Sequence, residues 1–461
     1  MKIIAYIVMY SVMLLSAEVK SIKKTIPVKD AQAVELMGFS GASLTIKSWD
    51  KNEIAIDIKV DYSSSNKENE QEYVQSVDVT QEQTGERVIV SFRQSKRGDE
   101  GFSWKKLFSL QFFTYSNLKV TGEIYVPASH PLIADFRYGD YSLEGIQGSL
   151  ELYGVSNTLF IKNCSAIKKI ENNYGKTTIE QSGGGLSLEG TSSTISIRNF
   201  TGQVDADASY STITLNSIKQ NATVLCVSGH IEMNDIGGNV ILDAKYSKMR
   251  LEKVRGTTSI ESQSGTIQMK EIFGADIDAP YSNISIESVN GTGNPISVRN
   301  MSGDVTIYNC SRDVKIEDSY SKIELENIQG NIKIAGQSSS IDGKRITGNV
   351  IIKDEYADIQ IDQLSASTVE ITNKSNKIDI DLLTKPAKIE IFNEYGPVSV
   401  RLPDFIGDVK LKASYGSVIT NLPVEVEEIG GGFIAMGKIG NGSGTMNIKT
   451  VSGNIEVHQK K

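Results

Sequence analysis

The run Ser228-Gly229-His230-Ile231-Glu232-Met233-Asn234-Asp235-Ile236-Gly237-Gly238-Asn239-Val240-Ile241-Leu242-Asp243-Ala244-Lys245 is followed at once by Tyr246-Ser247-Lys248-Met249, which starts the same pattern again. With Ser228 as position zero, apolar residues stand at offsets 3, 5, 8, 12 and 14 (Ile231, Met233, Ile236, Val240, Leu242), and Gly238 stands at offset 10. The run from Tyr320 has the same grammar in Ile323, Leu325, Ile328, Gly330, Ile332 and Ile334. Working outward, units open at Tyr138, Ser156, Tyr174, Ser192, Tyr210, Ser228, Tyr246 and Ser264, every step being 18 residues. They continue at Tyr281, Ser302, Tyr320, Ser338, Tyr356, Ser375, Tyr395 and Tyr415 with steps of 17 to 21. Tyr alternates with Ser until the last pair.

Apolar residues two apart face one side of a short strand. Gly fills offset 10 in nine of the thirteen units from Tyr138 to Tyr356 and is read as a turn residue with positive φ. Strands this short, repeating every 18 residues, cannot each bury a private core, whereas stacked coils bury one continuous core. The expected fold is therefore all-β, a parallel β-helix, right-handed by the crossover preference. Left-handed hexapeptide helices place a branched residue every six, which these offsets do not match. Cys164 and Cys310 fall at offset 8 and Cys226 at offset 16, so all three read as small core residues.

The 461 residues carry 48 Lys+Arg against 56 Asp+Glu, and a net charge of −8 argues against a nucleic-acid binder. Three Cys and three His leave little for metal or nucleophile chemistry, and no cofactor or metal is expected. Met1-Lys2, an apolar run over residues 3–15 and Ser16-Ala17 read as a secretory signal peptide, residues 1–17. No later segment has the length of a membrane span.

Residues 22–126 lack the repeat grammar but alternate in Ile54, Ile56, Ile58, Val60 and in Val88, Val90, Phe92, with further strands near Leu44-Ile46 and Leu118-Val126. They read as a β-rich domain capping the first coil, with the β-helix over residues 127–458 and a helical turn or two in the polar stretch 66–73. A basic, aromatic loop holding Phe102, Trp104, Lys105 and Lys106 is a candidate to grip a partner or dip into a membrane, although a hairpin packed on the cap is the plainer reading.

In stacked coils, one offset becomes one line. Tyr174, Tyr210, Tyr246, Tyr281, Tyr320 and Tyr356, with Tyr138 and Tyr395, form a line of rings about 9.6 Å apart, a platform for an extended sugar chain. The plainer reading is that each ring covers the corner of the next coil. Three residues before the tyrosines stand Asp135, Glu171, Asp207, Asp243, Asp278 and Glu317, carboxylates that could bind Ca²⁺ but are read as solvated charges on the same edge. Because β-helices also host polysaccharide cleavage, Asp276 with Asp278 and Asp313 with Glu317 are candidate carboxylate pairs, but neither coincides with an inserted loop that could form a cleft. His130, His230 and His458 have no evident partner, and catalysis is not expected.

Leu44-Thr45-Ile46 with Trp49-Asp50, the strand Glu123-Ile124-Tyr125-Val126-Pro127 and the Ser-Gly-x-Ile-x-Val units ending in Ser452-Gly453-Asn454-Ile455-Glu456-Val457 carry a likeness. The chain resembles the exported bacterial adhesin-like proteins built of repeated β-strands, a group catalogued as a domain of unknown function. That resemblance implies a right-handed β-helix outside the cytoplasm, in the periplasm or at the cell surface, and offers no catalytic residues. The expected role is non-enzymatic: a binding, adhesin-like or structural surface for cell-envelope glycans or protein partners. A polysaccharide lyase or hydrolase and an envelope signalling scaffold are the alternatives.

Overall fold

The computed structural model describes residues 19–30, 32–62, 74–94, 118–291 and 293–460. The proposed signal peptide (1–17), the stretch 66–73 and the loop with Phe102, Trp104, Lys105 and Lys106 lie outside the described residues. The chain is nearly all-β and forms a β-solenoid with about 18 residues per coil, and it divides into two compact units, Met1–Thr177 and Thr178–Lys461. Among the described residues no helix is long and apolar enough to cross a membrane.

In the second unit each coil gives one strand to each of two sheets. His230–Ile236 pairs in parallel with Lys248–Val254, setting Ile231 on Met249, Met233 on Leu251 and Ile236 on Val254. Val240–Lys245 pairs with Thr258–Glu261, setting Val240 on Thr258 and Leu242 on Ile260. Like thus stacks on like, and the residues at offsets 3, 5, 8, 12 and 14 of this coil are buried. Cys164, Cys226 and Cys310 are buried, as the offsets imply, and burial pushes the Cys164 thiol up to about 11.

The turn chemistry differs from the sequence reading. Of the nine offset-10 glycines only Gly184, Gly291 and Gly348 have φ in the left-handed region. The others answer to stacking: a Cβ at Gly202 would lie 1.6 Å from the Gly184 carbonyl oxygen, and one at Gly148 would lie 2.0 Å from that of His130. Most left-handed residues of the coils are instead non-glycine and stand at two other offsets. Position zero is left-handed from Tyr138 to Tyr246, and offset 7 is left-handed at Asn163, Gln181, Asn199, Ser217, Asp235, Lys253, Glu271, Ser288, Asn309, Asn327, Arg345 and Gln363. The offset-7 residue reverses the side-chain alternation once, which is why offset 8 faces inward after offsets 3 and 5. Its polar side chains bond from coil to coil, as in Asn327 Nδ2 to Asn309 Oδ1 (2.8 Å) and Ser217 Oγ to Asp235 Oδ2 (3.1 Å).

The C-terminal coils of the second unit are not stacked in chain order. Gly444–Thr450 lies between Lys388–Tyr395 and Gly407–Ala413, parallel to both, and Ile455–Gln459 lies between Val398–Leu402 and Val418–Thr420. The chain therefore lays down one coil, skips a level, and returns to fill it. The hairpin Glu425–Ile429 and Gly432–Ile439 then covers Gly407–Ala413, leaving an outer strand whose Glu425, Glu427 and Glu428 discourage edge pairing.

In the first unit all the expected strands of segment 22–126 are present. Parallel stacking reaches into that segment: Ala33–Met37 pairs with Leu132–Arg137, and Ala42–Trp49 pairs with Asp140–Glu144. Gly41 N–H donates to the Arg137 carbonyl at 2.7 Å as Tyr138 N–H does to that of Val155 at 3.0 Å, so a left-handed Gly41 holds position zero of this coil. Beyond it Leu118–Pro127, Glu53–Tyr62 and Val19–Pro27 continue one sheet, the last two antiparallel. The outermost strand carries Lys20, Lys23 and Lys24 and ends in Pro27, again an edge unsuited to pairing.

Candidate functional site: the tyrosine edge

Position zero lies at the corner where the second sheet hands the chain to the first. Beneath it runs a polar ladder at offsets 1 and −2, in which Ser193, Ser211, Ser247, Ser262, Ser282, Ser321 and Ser339 are buried with Asn300, Asp318, Asp354, Asn373 and Asn393. Its rungs bond between coils. Ser211 Oγ donates to the Gly190 carbonyl (2.9 Å) and Ser262 Oγ to that of Ala244 (3.0 Å), while Asn373 accepts from Ala357 N–H (3.1 Å) and donates to Ala357 C=O (2.9 Å). Small side chains here let the main chain turn tightly, and satisfied polar groups fix the corner.

On that base the position-zero tyrosines project outward. Their exposure runs from 41% at Tyr356 to 70% at Tyr415, so covering the corner accounts for only part of each ring. The residue at offset −1 of the following coil steadies several of them. Tyr246 O–H donates to Gln263 Oε1 at 2.6 Å, Tyr320 O–H to Gln337 Oε1 at 3.4 Å, and the Lys374 ammonium lies 5.4 Å from the Tyr356 ring centroid.

The alternation is stricter in space than in sequence. Thr450 pairs with Asn393 on one side and with Ala413 on the other, which puts Ser452 at position zero between Tyr395 and Tyr415. Tyr415 N–H donates to Val451 C=O (2.8 Å) and Ser452 N–H to Glu394 C=O (2.8 Å). In the second unit Tyr210, Tyr246, Tyr281, Tyr320, Tyr356, Tyr395 and Tyr415 thus occupy every second coil, about 9.6 Å apart, each separated by a serine level. Tyr138 and Tyr174 hold the same position in the first unit and are likewise exposed.

The acidic residues three places earlier lie outward on the second sheet. Asp243, Glu261 and Asp278 stand on three consecutive strands in register, and Arg299 follows between Asp278 and Glu317. Here the edge deepens into a groove of about 650 Å³, lined by Asp278, Arg299, Asn300, Met301, Glu317 and Gln337 among others. Arg299 lies 3.7 Å from Asp278, and Lys315 at 2.6 Å holds Glu317 below the usual carboxylate range, the opposite of what a proton donor needs. Asp313 instead accepts the Asn331 main-chain N–H at 2.8 Å. His130 is buried on Lys29 C=O (3.3 Å).

The signal sequence reading missed is the polarity of offset −2, where Asp318 and Asp354 are buried carboxylates among small and amide residues. Burial raises the Asp354 carboxyl above its usual range, although the N–H and hydroxyl of Ser339 lie close enough to favour the charged form.

No curated protein matches the chain. The crystal structure of a "putative cell adhesion protein" from Clostridium sporogenes ATCC 15579 is similar over 96% of this chain and 100% of its own, with 12% identity and a TM-score of 0.18. Residues 162–458, which hold most of the coils and the whole of the second unit's tyrosine edge, match the model of the Toastrack DUF4097 family, and the chain belongs to that family.

Proposed function

We propose that the protein is a non-enzymatic binding protein of the cell envelope, exported to the periplasm or cell surface, whose tyrosine edge holds an extended polysaccharide chain. The observation that supports this most is the exposed, evenly spaced ring series of the second unit, kept in step at its end by a coil returned from the C-terminus. A pitch of about 9.6 Å offers one ring per pair of sugars in an extended chain, and the neighbouring carboxylates can accept hydrogen bonds from sugar hydroxyls. In this reading residues 1–17 direct export, residues 22–126 cap the first coil, and the loop with Phe102, Trp104, Lys105 and Lys106 offers a second contact, to a partner protein or a membrane surface.

The test is co-sedimentation of the purified mature chain with insoluble cell-envelope polysaccharide. Tyr246→Ala with Tyr281→Ala should weaken binding about tenfold, the loss of roughly 0.7 kcal/mol per ring, while the melting temperature stays within about 2 °C. Unchanged binding by the double variant removes the tyrosine edge from the proposal.

A further inference from the structure

We propose that the corner between Asp318 and Asp354 is a binding site for a hard cation, Ca²⁺ in the first instance. The two residues occupy the −2 rung two coils apart, and the rung between them is Gly336. Three other −2 rungs of the second unit carry amides: Asn373 donates to the Ala357 carbonyl at 2.9 Å, Asn393 to that of Asn376 at 2.7 Å, and Asn300 to that of Ser282 at 3.3 Å. A carboxylate in that place brings a second acceptor and no donor, so it cannot repeat the bond that an amide makes to a carbonyl.

Both carboxylates close on the Gly336 level. Asp318 Oδ2 takes the Ser339 hydroxyl at 2.8 Å and the Ser321 N–H at 3.1 Å. Asp354 Oδ1 takes the Tyr356 N–H at 3.0 Å, while Oδ2 is buried beside the Ser339 N–H and hydroxyl without a well-aligned hydrogen bond to either. Asp354 is 6% exposed and Oδ2 points into the space that a side chain at 336 would fill, 2.3 Å from its would-be Cβ, with Ser339 Oγ 3.0 Å from the same point. With the Ser339 proton given to Asp318, the Ser339 lone pairs and Asp354 Oδ2 face one region.

No three His, Cys, Asp or Glu side chains converge on a metal position among the described residues, and the oxygens that gather here are the two carboxylates and the Ser339 hydroxyl. An all-oxygen, irregular set suits Ca²⁺, which accepts uneven geometry, better than Mg²⁺ or a transition metal. Gly336 and Asp318 also line the groove of the tyrosine edge, which supplies a way in.

Thermal melts of the full mature chain in Ca²⁺ and in EDTA test the site, with Tb³⁺ luminescence excited through tyrosine as a direct reading of binding. Wild type should melt several degrees higher in Ca²⁺ and take up Tb³⁺. Asp354→Asn restores the amide rung, so it should melt in EDTA at or above the wild-type temperature, gain nothing from Ca²⁺ and lose the Tb³⁺ signal. Gly336→Ala, whose methyl would fill the space, should also lose the signal. A wild-type protein indifferent to Ca²⁺ and silent with Tb³⁺ overturns the proposal, and so does a Ca²⁺ effect that persists in Asp354→Asn.

Discussion

Glycine does two different jobs in this chain, and neighbouring positions separate them. Gly202 has an ordinary φ, yet a methyl there would be driven into the Gly184 carbonyl 1.6 Å away, whereas a methyl on Gly185 meets nothing within 4 Å. Gly202→Ala should therefore lower stability by about 3 kcal/mol, an overpacking cost that a backbone-lined gap cannot relieve by side-chain movement. Gly185→Ala should lie within about 1 kcal/mol of wild type, on the stabilising side, because it only restricts the unfolded chain. Urea denaturation of the two variants decides the point; equal stabilities would show that close approach between coils is not what offset 10 requires.

At the scale of the strand, the departure from simple alternation is the offset-7 residue. Its trace is present in the sequence, since two polar residues separate the inward offsets 5 and 8 and the second is often Asn or Asp, as in Asn163, Asn199, Asp235, Asn309 and Asn327. That is the composition of a left-handed position, but Gly at offset 10 is the stronger sequence signal for one, and at most of those positions it serves close stacking instead. Lys253 holds the left-handed conformation (φ 58°) with a long exposed side chain whose partner is the surface carboxylate of Glu252 at 3.4 Å. Relief of a strain of about 1 kcal/mol outweighs a surface ion pair, so Lys253→Gly should raise stability by about that amount, although Gly within a strand ordinarily weakens it. A fall in melting temperature for this variant would mean that the offset-7 backbone is not strained. The inward offsets, the buried cysteines and the ring line were all legible because they depend on period alone; the exposure of the rings was not, because it depends on how far each coil shields the next.

At the scale of the whole chain, local periodicity says which residues form coils but not the order in which coils stack. The one clue was the failure of alternation at Tyr395 and Tyr415, which reads as an irregular end and is in fact a missing level. Its filler lies some 40 residues further on, in the Ser452-Gly453 unit, and no spacing rule links the two. Chain-order stacking would set two tyrosine rings at one corner about 4.8 Å apart, and the returning coil prevents this. It follows that the end of the second unit cannot grow by adding coils one after another, since the strands of 407–420 gain their parallel partners only when 444–459 is in place. Deleting residues 444–461 should lower the melting temperature by at least about 5 °C and open 407–439 to protease before the coils around Tyr246, because strands 388–395 and 407–413 each lose a full ladder of hydrogen bonds. If the shortened chain instead melts and resists protease as the whole one does, the coil at Tyr415 has docked straight onto the coil at Tyr395, and crowding of adjacent rings is not the force that maintains the alternation.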